Sequence, residues 1–76
     1  MNMRVGSLVT SNTRRELVCG SGRYDFAVVA SMEPFILISQ CGDMKWSTWS
    51  PEELRVCGYA SDETMAVVNR RLELGY

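Results

Sequence analysis

The chain has 76 residues and a net charge of −1, with 46% hydrophobic and 22% charged residues. This length allows one compact domain, residues 1–76, and the composition excludes a disordered or collagen-like chain. The chain has three cysteines and no histidine, and the cysteines Cys19, Cys41 and Cys57 lack a CxxC spacing. These features argue against a zinc site and a disulfide framework, so we interpret the cysteines as reduced, semi-buried thiols.

The N-terminal part of the chain predicts one strand and a basic loop. The strand covers residues 3–10, where a glycine turn precedes the apolar pair Leu8 and Val9. Residues 11–23 form a polar, turn-rich loop, with a brief strand over 16–19. The loop contains one acidic residue and three arginines, which are Arg14, Arg15 and Arg23. Clustered positive charge of this kind suits phosphate contacts that are independent of base sequence.

Two strands rich in β-branched and aromatic residues follow, over residues 24–30 and 35–40. The first alternates with a period of two, which predicts one core face. The residues on that face are Tyr24, Phe26, Val28 and Ala30. Pro34 interrupts the pairing between the two strands because proline has no main-chain N–H to donate. The second strand is apolar on both sides, so we expect both sides to be covered, one of them by the C-terminal helix or, failing that, by a partner.

A hairpin turn at residues 41–43 leads to a strand over residues 44–49 that carries both tryptophans. The alternation predicts Trp46 in the core and Trp49 on the other face, where Trp49 either covers an end of the barrel or belongs to a surface patch. Ser50-Pro51-Glu52-Glu53 is a capping box with proline at the first helical position, which predicts a helical turn over residues 51–54. A closing strand over residues 54–57 follows.

The last predicted element is an α-helix over residues 61–74. Ser61 is its N-cap, acidic residues occupy its first turn, and Gly75 ends it. One stripe of the helix packs on the sheet, and its residues are Met65, Val68 and Leu72. Val67 and Leu74 lie on nearly the opposite side of the helix, and Tyr76 follows Gly75.

Five short strands, with a helical turn just before the last one, resemble an SH3-like barrel. The resemblance covers residues 3–57 and is carried by VGSLV, YDFAVVASMEPFILIS and GDMKWSTWSPEELRV. These segments look like the pattern of small accessory proteins of phages and plasmids, whose third strand carries a tryptophan followed by a Ser-Pro-Glu-Glu/Asp-Leu turn. It implies a mainly β fold, with a five-stranded antiparallel barrel over residues 3–58 and the helix as an addition. The basic loop over 11–23 is longer than the first loop usual in such barrels.

The candidate functional residues predict binding and not catalysis. An aromatic surface patch of Tyr24, Trp49 and Tyr59 would suit a peptide or a methylated side chain. The basic loop adds Arg14, Arg15 and Arg23 as candidate contacts. The chain has no histidine to act as a base, and its glycine-rich segment lacks the lysine of a phosphate loop. We therefore expect no enzymatic activity, no cofactor and no metal.

Two functional hypotheses follow from these residues. The leading hypothesis is a cytoplasmic, phage- or mobile-element-encoded interaction module that binds a bacterial host protein, such as a defence protein, and modulates or inhibits it. The alternative is a nucleic-acid-binding barrel that uses the basic loop, although the pI of 5.3 is low for such a protein. The apolar residues on the outer side of the helix allow a homodimer as well as a monomer, and we expect the two states about equally. The candidate self-association surface consists of Val67, Leu74 and Tyr76.

Overall fold

The structure, a computed structural model, describes residues 2–12, 17–19 and 22–75, and at 17–19 and 22–24 it describes the main chain alone. This part of the chain forms seven strands, one 3-10 turn and one α-helix. In chain order they are β1 (Ser7–Ser11), β2 (Leu17–Cys19), β3 (Gly22–Tyr24), β4 (Ala27–Met32), β5 (Phe35–Ser39), β6 (Lys45–Trp46), the 3-10 turn (Pro51–Glu53), β7 (Leu54–Tyr59) and α1 (Asp62–Leu74).

Five of the strands form one antiparallel sheet in the order β6-β5-β4-β1-β7. Strands β2 and β3 form a separate hairpin, which lies in the predicted basic loop except for its last residue, Tyr24. In the described residues, β6 and β7 are the two edges of the sheet and do not pair, so the sheet is not closed into the predicted barrel. β6 is also shorter than predicted, since it pairs with β5 over two residues instead of six.

The main sheet buries apolar residues on both of its faces. On one face the helix α1 packs across β4 and β5, and the buried residues there are Val28, Ala30, Ile38 and Val68. Met65 and Leu72 pack against the same cluster, so the predicted helix stripe is confirmed. The buried residues of the opposite face are Val9, Ala27, Val29, Leu37, Trp46, Trp49 and Leu54. The prediction that β5 is covered on both sides, with α1 as one cover, is also confirmed.

The predicted core face of residues 24–30 is wrong in part. Phe26 is 41% exposed and precedes β4, which begins at Ala27. Val28 and Ala30 are buried as predicted, but Ala27 and Val29 are buried as well. Because the helix covers one side of β4 and the tryptophans cover the other, alternation in this segment does not distinguish a core side from a solvent side.

Ser39 organises the turn between β5 and β6. Its buried hydroxyl donates to the Asp43 carboxylate and accepts the amides of Asp43 and Met44 at 3.1 and 3.2 Å. The Gly42 amide donates to the Ser39 carbonyl at 2.9 Å, and Gly42 has a φ of 74°. Buried polar groups are costly unless they are hydrogen-bonded, and here the hydroxyl has partners on three sides.

The predicted helix ends agree with the structure. Ser61 caps α1 by accepting the Thr64 amide at 3.2 Å, and Gly75 ends the helix in the left-handed conformation, with a φ of 75°. Before β7, the Glu53 carboxylate accepts the Ser50 amide at 3.0 Å, which is the return bond of the predicted capping box.

Candidate interaction surface

A turn at the N-terminus meets the end of β7 at one corner of the sheet. Tyr59 pairs with Ser7 in the β1–β7 ladder, and the Ala60 amide donates to the Gly6 carbonyl at 2.8 Å. The Gly6 amide in turn donates to Val29 of β4 at 2.8 Å. Gly6 has a φ of 95°, a conformation that glycine adopts without steric cost. The turn is therefore anchored to two strands of the sheet.

The buried Ser7 side chain holds the main chain of Arg4 in this turn. Its hydroxyl accepts the Arg4 amide at 2.8 Å, and the Ser7 amide donates to the Arg4 carbonyl at 2.9 Å. These two bonds keep the main chain of Arg4 within reach of the end of β7. They fix the main chain of Arg4, from which the side chain reaches the Tyr59 ring.

The side chains at this corner form a compact exposed surface. The guanidinium carbon of Arg4 lies 4.3 Å from the centroid of the Tyr59 ring, which is a cation–π stacking distance. Tyr59 is 45% exposed and the neighbouring Val5 is 50% exposed. We call these three residues, Arg4, Val5 and Tyr59, the Arg4 patch. Tyrosine and arginine dominate the binding energy of many protein interfaces, so the patch has the composition of a contact site.

The structure brings one predicted site residue, Tyr59, to this surface and moves another away from it. Trp49 is 6% exposed and lies in the core with Trp46, so it does not contribute to the aromatic surface predicted for Tyr24, Trp49 and Tyr59. The prediction of Trp49 as a partner-binding residue is therefore corrected. The chain turns inward after the short strand β6, and the alternation assumed for a strand over 44–49 no longer applies there.

Several predicted residues remain untested by the geometry. Arg14, Arg15 and Tyr76 lie outside the described residues. Arg23 and Tyr24 lie in β3, where the main chain alone is described. The basic loop as a contact surface therefore stays a prediction.

Sequence reasoning missed Arg4 and Val5 as surface candidates. Arg4 and Tyr59 are far apart in the chain, and they meet because β1 pairs with β7 in a register that puts Ser7 opposite Tyr59. The local sequence contains a signal for the turn, Gly6, but no signal for the register. An arginine directly before a glycine turn at the start of the first strand is the one feature that would have pointed to this corner.

The outer side of α1 is exposed where it was predicted to be. Val67 and Leu74 are 43% and 50% exposed. Val67 nevertheless lies close to the β5–β6 turn, because a Cβ added at Gly42 would lie 2.5 Å from its Cγ1 atom. The helix thus rests on the β5–β6 turn through Val67, and only part of this side chain faces solvent.

The side chains of two of the three cysteines are described, and both are more exposed than predicted. Cys41 and Cys57 are free thiols and exposed, whereas semi-buried thiols were expected. Cys57 lies on β7, where its thiol donates to the Leu8 carbonyl at 3.3 Å. Cys41 lies in the β5–β6 turn.

Comparison of the chain with models of protein families, with curated proteins and with solved structures finds no match. Within the described residues, no helix has the length and apolar character that a membrane span requires.

Proposed function

We propose that this chain is a non-enzymatic protein-interaction module that binds a bacterial host protein through the Arg4 patch and modulates or inhibits it. The observation that carries the proposal is the exposed stack of Arg4 on Tyr59. The five antiparallel strands, with a 3-10 turn directly before the last one, support the SH3-like resemblance. That resemblance to phage and plasmid accessory proteins supplies the host-directed part of the proposal.

Preorganisation is the physical reason why the Arg4 patch suits binding. A long side chain loses about 0.5–1.5 kcal/mol of conformational freedom when an interface immobilises it. Arg4 is already stacked on Tyr59, and its main chain is already held by Ser7. Part of this cost is thus met in the free protein, and the stacked guanidinium keeps N–H donors for a carboxylate or a carbonyl of the partner.

The test is affinity capture of a partner from bacterial lysate with the full chain. We expect Tyr59→Ala to lose the partner, because truncation of a central interface aromatic costs about 2 kcal/mol or more. Tyr59→Phe should retain it, since the ring that stacks on Arg4 is kept. The matched control is Phe26→Ala, which removes a ring that is 41% exposed beside the other end of β1.

Circular dichroism of each variant checks that the fold is intact. If Tyr59→Ala and Phe26→Ala capture the partner equally well, the Arg4 patch is not the contact surface. If no protein is retained at mild ionic strength, the proposal of a protein-interaction module is rejected.

A further inference from the structure

The outer edge of β7 is a second exposed feature beside the Arg4 patch. β7 has six residues and pairs with β1 on one side, and the described residues place no strand on its other side. It contains neither proline nor lysine. An edge of this kind presents main-chain N–H and C=O groups to any extended chain that approaches it.

The two edges of the sheet differ in how they are protected. The β6 edge is two residues long, and one of them is a lysine, Lys45. Short edge strands and edge lysines are the common devices that prevent unwanted strand pairing. The β7 edge is three times longer, and its one irregularity is a register shift opposite Leu8 and Val9. A bulge bends the strand there, but Leu54–Val56 on one side and Gly58–Tyr59 on the other stay in register with β1.

The charges at the β7 edge favour one kind of occupant. The exposed side chains along the strand are Arg55, Cys57 and Tyr59, and Arg4 is stacked on the last of these. β7 itself carries no carboxylate. Before it, Glu52 and Glu53 lie in the 3-10 turn, where Glu53 accepts the Ser50 amide, and after it Asp62 and Glu63 lie in the first turn of α1. An extended segment with acidic side chains would meet cations at both ends of the strand, on Arg55 and on Arg4.

A second copy of this chain fits the edge less well. Two β7 strands paired about a two-fold axis would bring Arg4 and Arg55 of both copies into one interface without adding a carboxylate from β7. Like charges at an interface cost binding energy and act against a partner. The edge therefore selects a foreign, acidic strand over its own copy.

We infer that β7 binds an extended, acidic segment of a partner protein by strand addition. This inference rests on the proposed function and names the kind of segment that the partner presents. Main-chain hydrogen bonds to β7 supply affinity that is independent of side chains, whereas Arg55 and the Arg4 patch select acidic residues in the segment. The bound segment continues the sheet by one strand, in the order β6-β5-β4-β1-β7-segment.

The test uses two blocked ten-residue peptides, one alternating threonine with glutamate and one alternating threonine with lysine. We expect the glutamate peptide to bind the full chain at least about tenfold more tightly, because the charges at the edge are complementary to it. Amide hydrogen exchange should slow in β7 when it binds and stay unchanged in β6. Two further peptides carry N-methyl groups on every second amide, one on the odd-numbered and one on the even-numbered residues. Because alternate amides of a strand face the same neighbour, one of these peptides should lose binding and the other should retain it.

Two charge reversals provide the matched comparison. Arg55→Glu should weaken binding of the glutamate peptide by at least about tenfold. Lys45→Glu should leave the affinity of this peptide unchanged, because this variant makes the same charge change at the other edge of the sheet. Equal affinity for the two peptides, or exchange protection outside β7, would overturn the inference. Dimerisation that protects the β7 amides without any peptide would overturn it in favour of a second copy. Protection of the same amides by a single-stranded oligonucleotide that competes with the peptide would overturn it in favour of nucleic acid.

The outcomes for the edge and for the Arg4 patch can be told apart. If Tyr59→Ala abolishes capture from lysate but neither peptide protects β7, strand addition is overturned and the interaction module stands. If the glutamate peptide protects β7 and Arg55→Glu prevents this, strand addition is supported even when lysate capture does not depend on Tyr59.

Discussion

Burial of the second tryptophan changes the energetics expected at the scale of single residues. Trp46 and Trp49 are both 6% exposed, and both lie in the cluster with Val9, Leu37 and Leu54. A strand over 44–49 would have put the two rings on opposite faces. They share one cluster because the chain leaves the sheet after Trp46, and residues 47–50 turn Trp49 back onto the same apolar face. The pair covers the side of the sheet that α1 leaves open.

We therefore predict that Trp49→Ala destabilises the fold about as much as Trp46→Ala does, by about 3–5 kcal/mol each. A loss of this size is a large part of the roughly 5–15 kcal/mol that stabilises a small domain. Urea unfolding followed by circular dichroism measures both variants, and Phe26→Ala serves as the control because its ring is 41% exposed. A Trp49→Ala loss close to that of Phe26→Ala would show that Trp49 is a surface residue, as the sequence pattern had predicted.

At the scale of elements, the sequence predicted those that carry local stop and start signals. The helix was predicted to within one residue because Ser61 and Gly75 mark its two ends. Pro34 falls in the turn between β4 and β5, and pairing resumes at Phe35 as expected. The 3-10 turn before β7 follows from Ser50, Pro51 and Glu53. In each case the signal acts through a hydrogen bond or a dihedral angle within a few residues.

Features that depend on distant contacts were not predictable in the same way. The chain leaves the sheet after Trp46 and Trp49 packs in the core, and Phe26 lies exposed between the end of β3 and the start of β4. The Arg4 patch depends on the register between β1 and β7. None of these is set by neighbours in sequence, so period-two alternation alone gave the wrong face for Trp49 and for Phe26.

The contact between the β5–β6 turn and α1 gives a prediction at this scale. Gly42 and Gly75 have nearly the same backbone conformation, with φ values of 74° and 75°. An added Cβ at Gly42 would lie 2.5 Å from Val67, whereas at Gly75 nothing lies within 4 Å. Both alanine variants pay for the left-handed conformation, which costs about 1–2 kcal/mol. In Gly42→Ala the added Cβ also clashes with the helix, which destabilises the fold by about 1–3 kcal/mol more.

Urea unfolding of the two variants separates these terms, since Gly75→Ala measures the backbone cost alone. We expect Gly42→Ala to be clearly the less stable of the two. The double variant Gly42→Ala with Val67→Ala should recover most of the difference, because it removes the methyl group that the added Cβ meets. Equal losses for the two glycine variants would mean that α1 does not rest on the turn.

At the scale of the whole molecule, the exposed features fall on different parts of the fold. The Arg4 patch and the β7 edge are continuous through Tyr59 and involve the first and last strands of the sheet. The exposed apolar residues of α1, Val67 and Leu74, lie on the helix that covers β4 and β5. A partner on the first surface and a second copy on the helix would therefore contact different elements of the fold.

The size of the helix surface decides what to expect of self-association. A stable protein interface buries about 800 Å² on each partner. Among the described residues, the outer side of α1 offers Val67 and Leu74, one of them partly engaged with Gly42, among exposed polar residues such as Asn69, Arg70 and Glu73. We predict that the chain is a monomer at tens of micromolar, as sedimentation equilibrium would show.

A dimer that is lost in Val67→Glu with Leu74→Glu, but kept in Ala66→Glu with Asn69→Glu, would contradict this and place the interface on the helix. The second pair adds the same charge at exposed positions of α1, so it separates loss of the apolar contact from a general effect of charge.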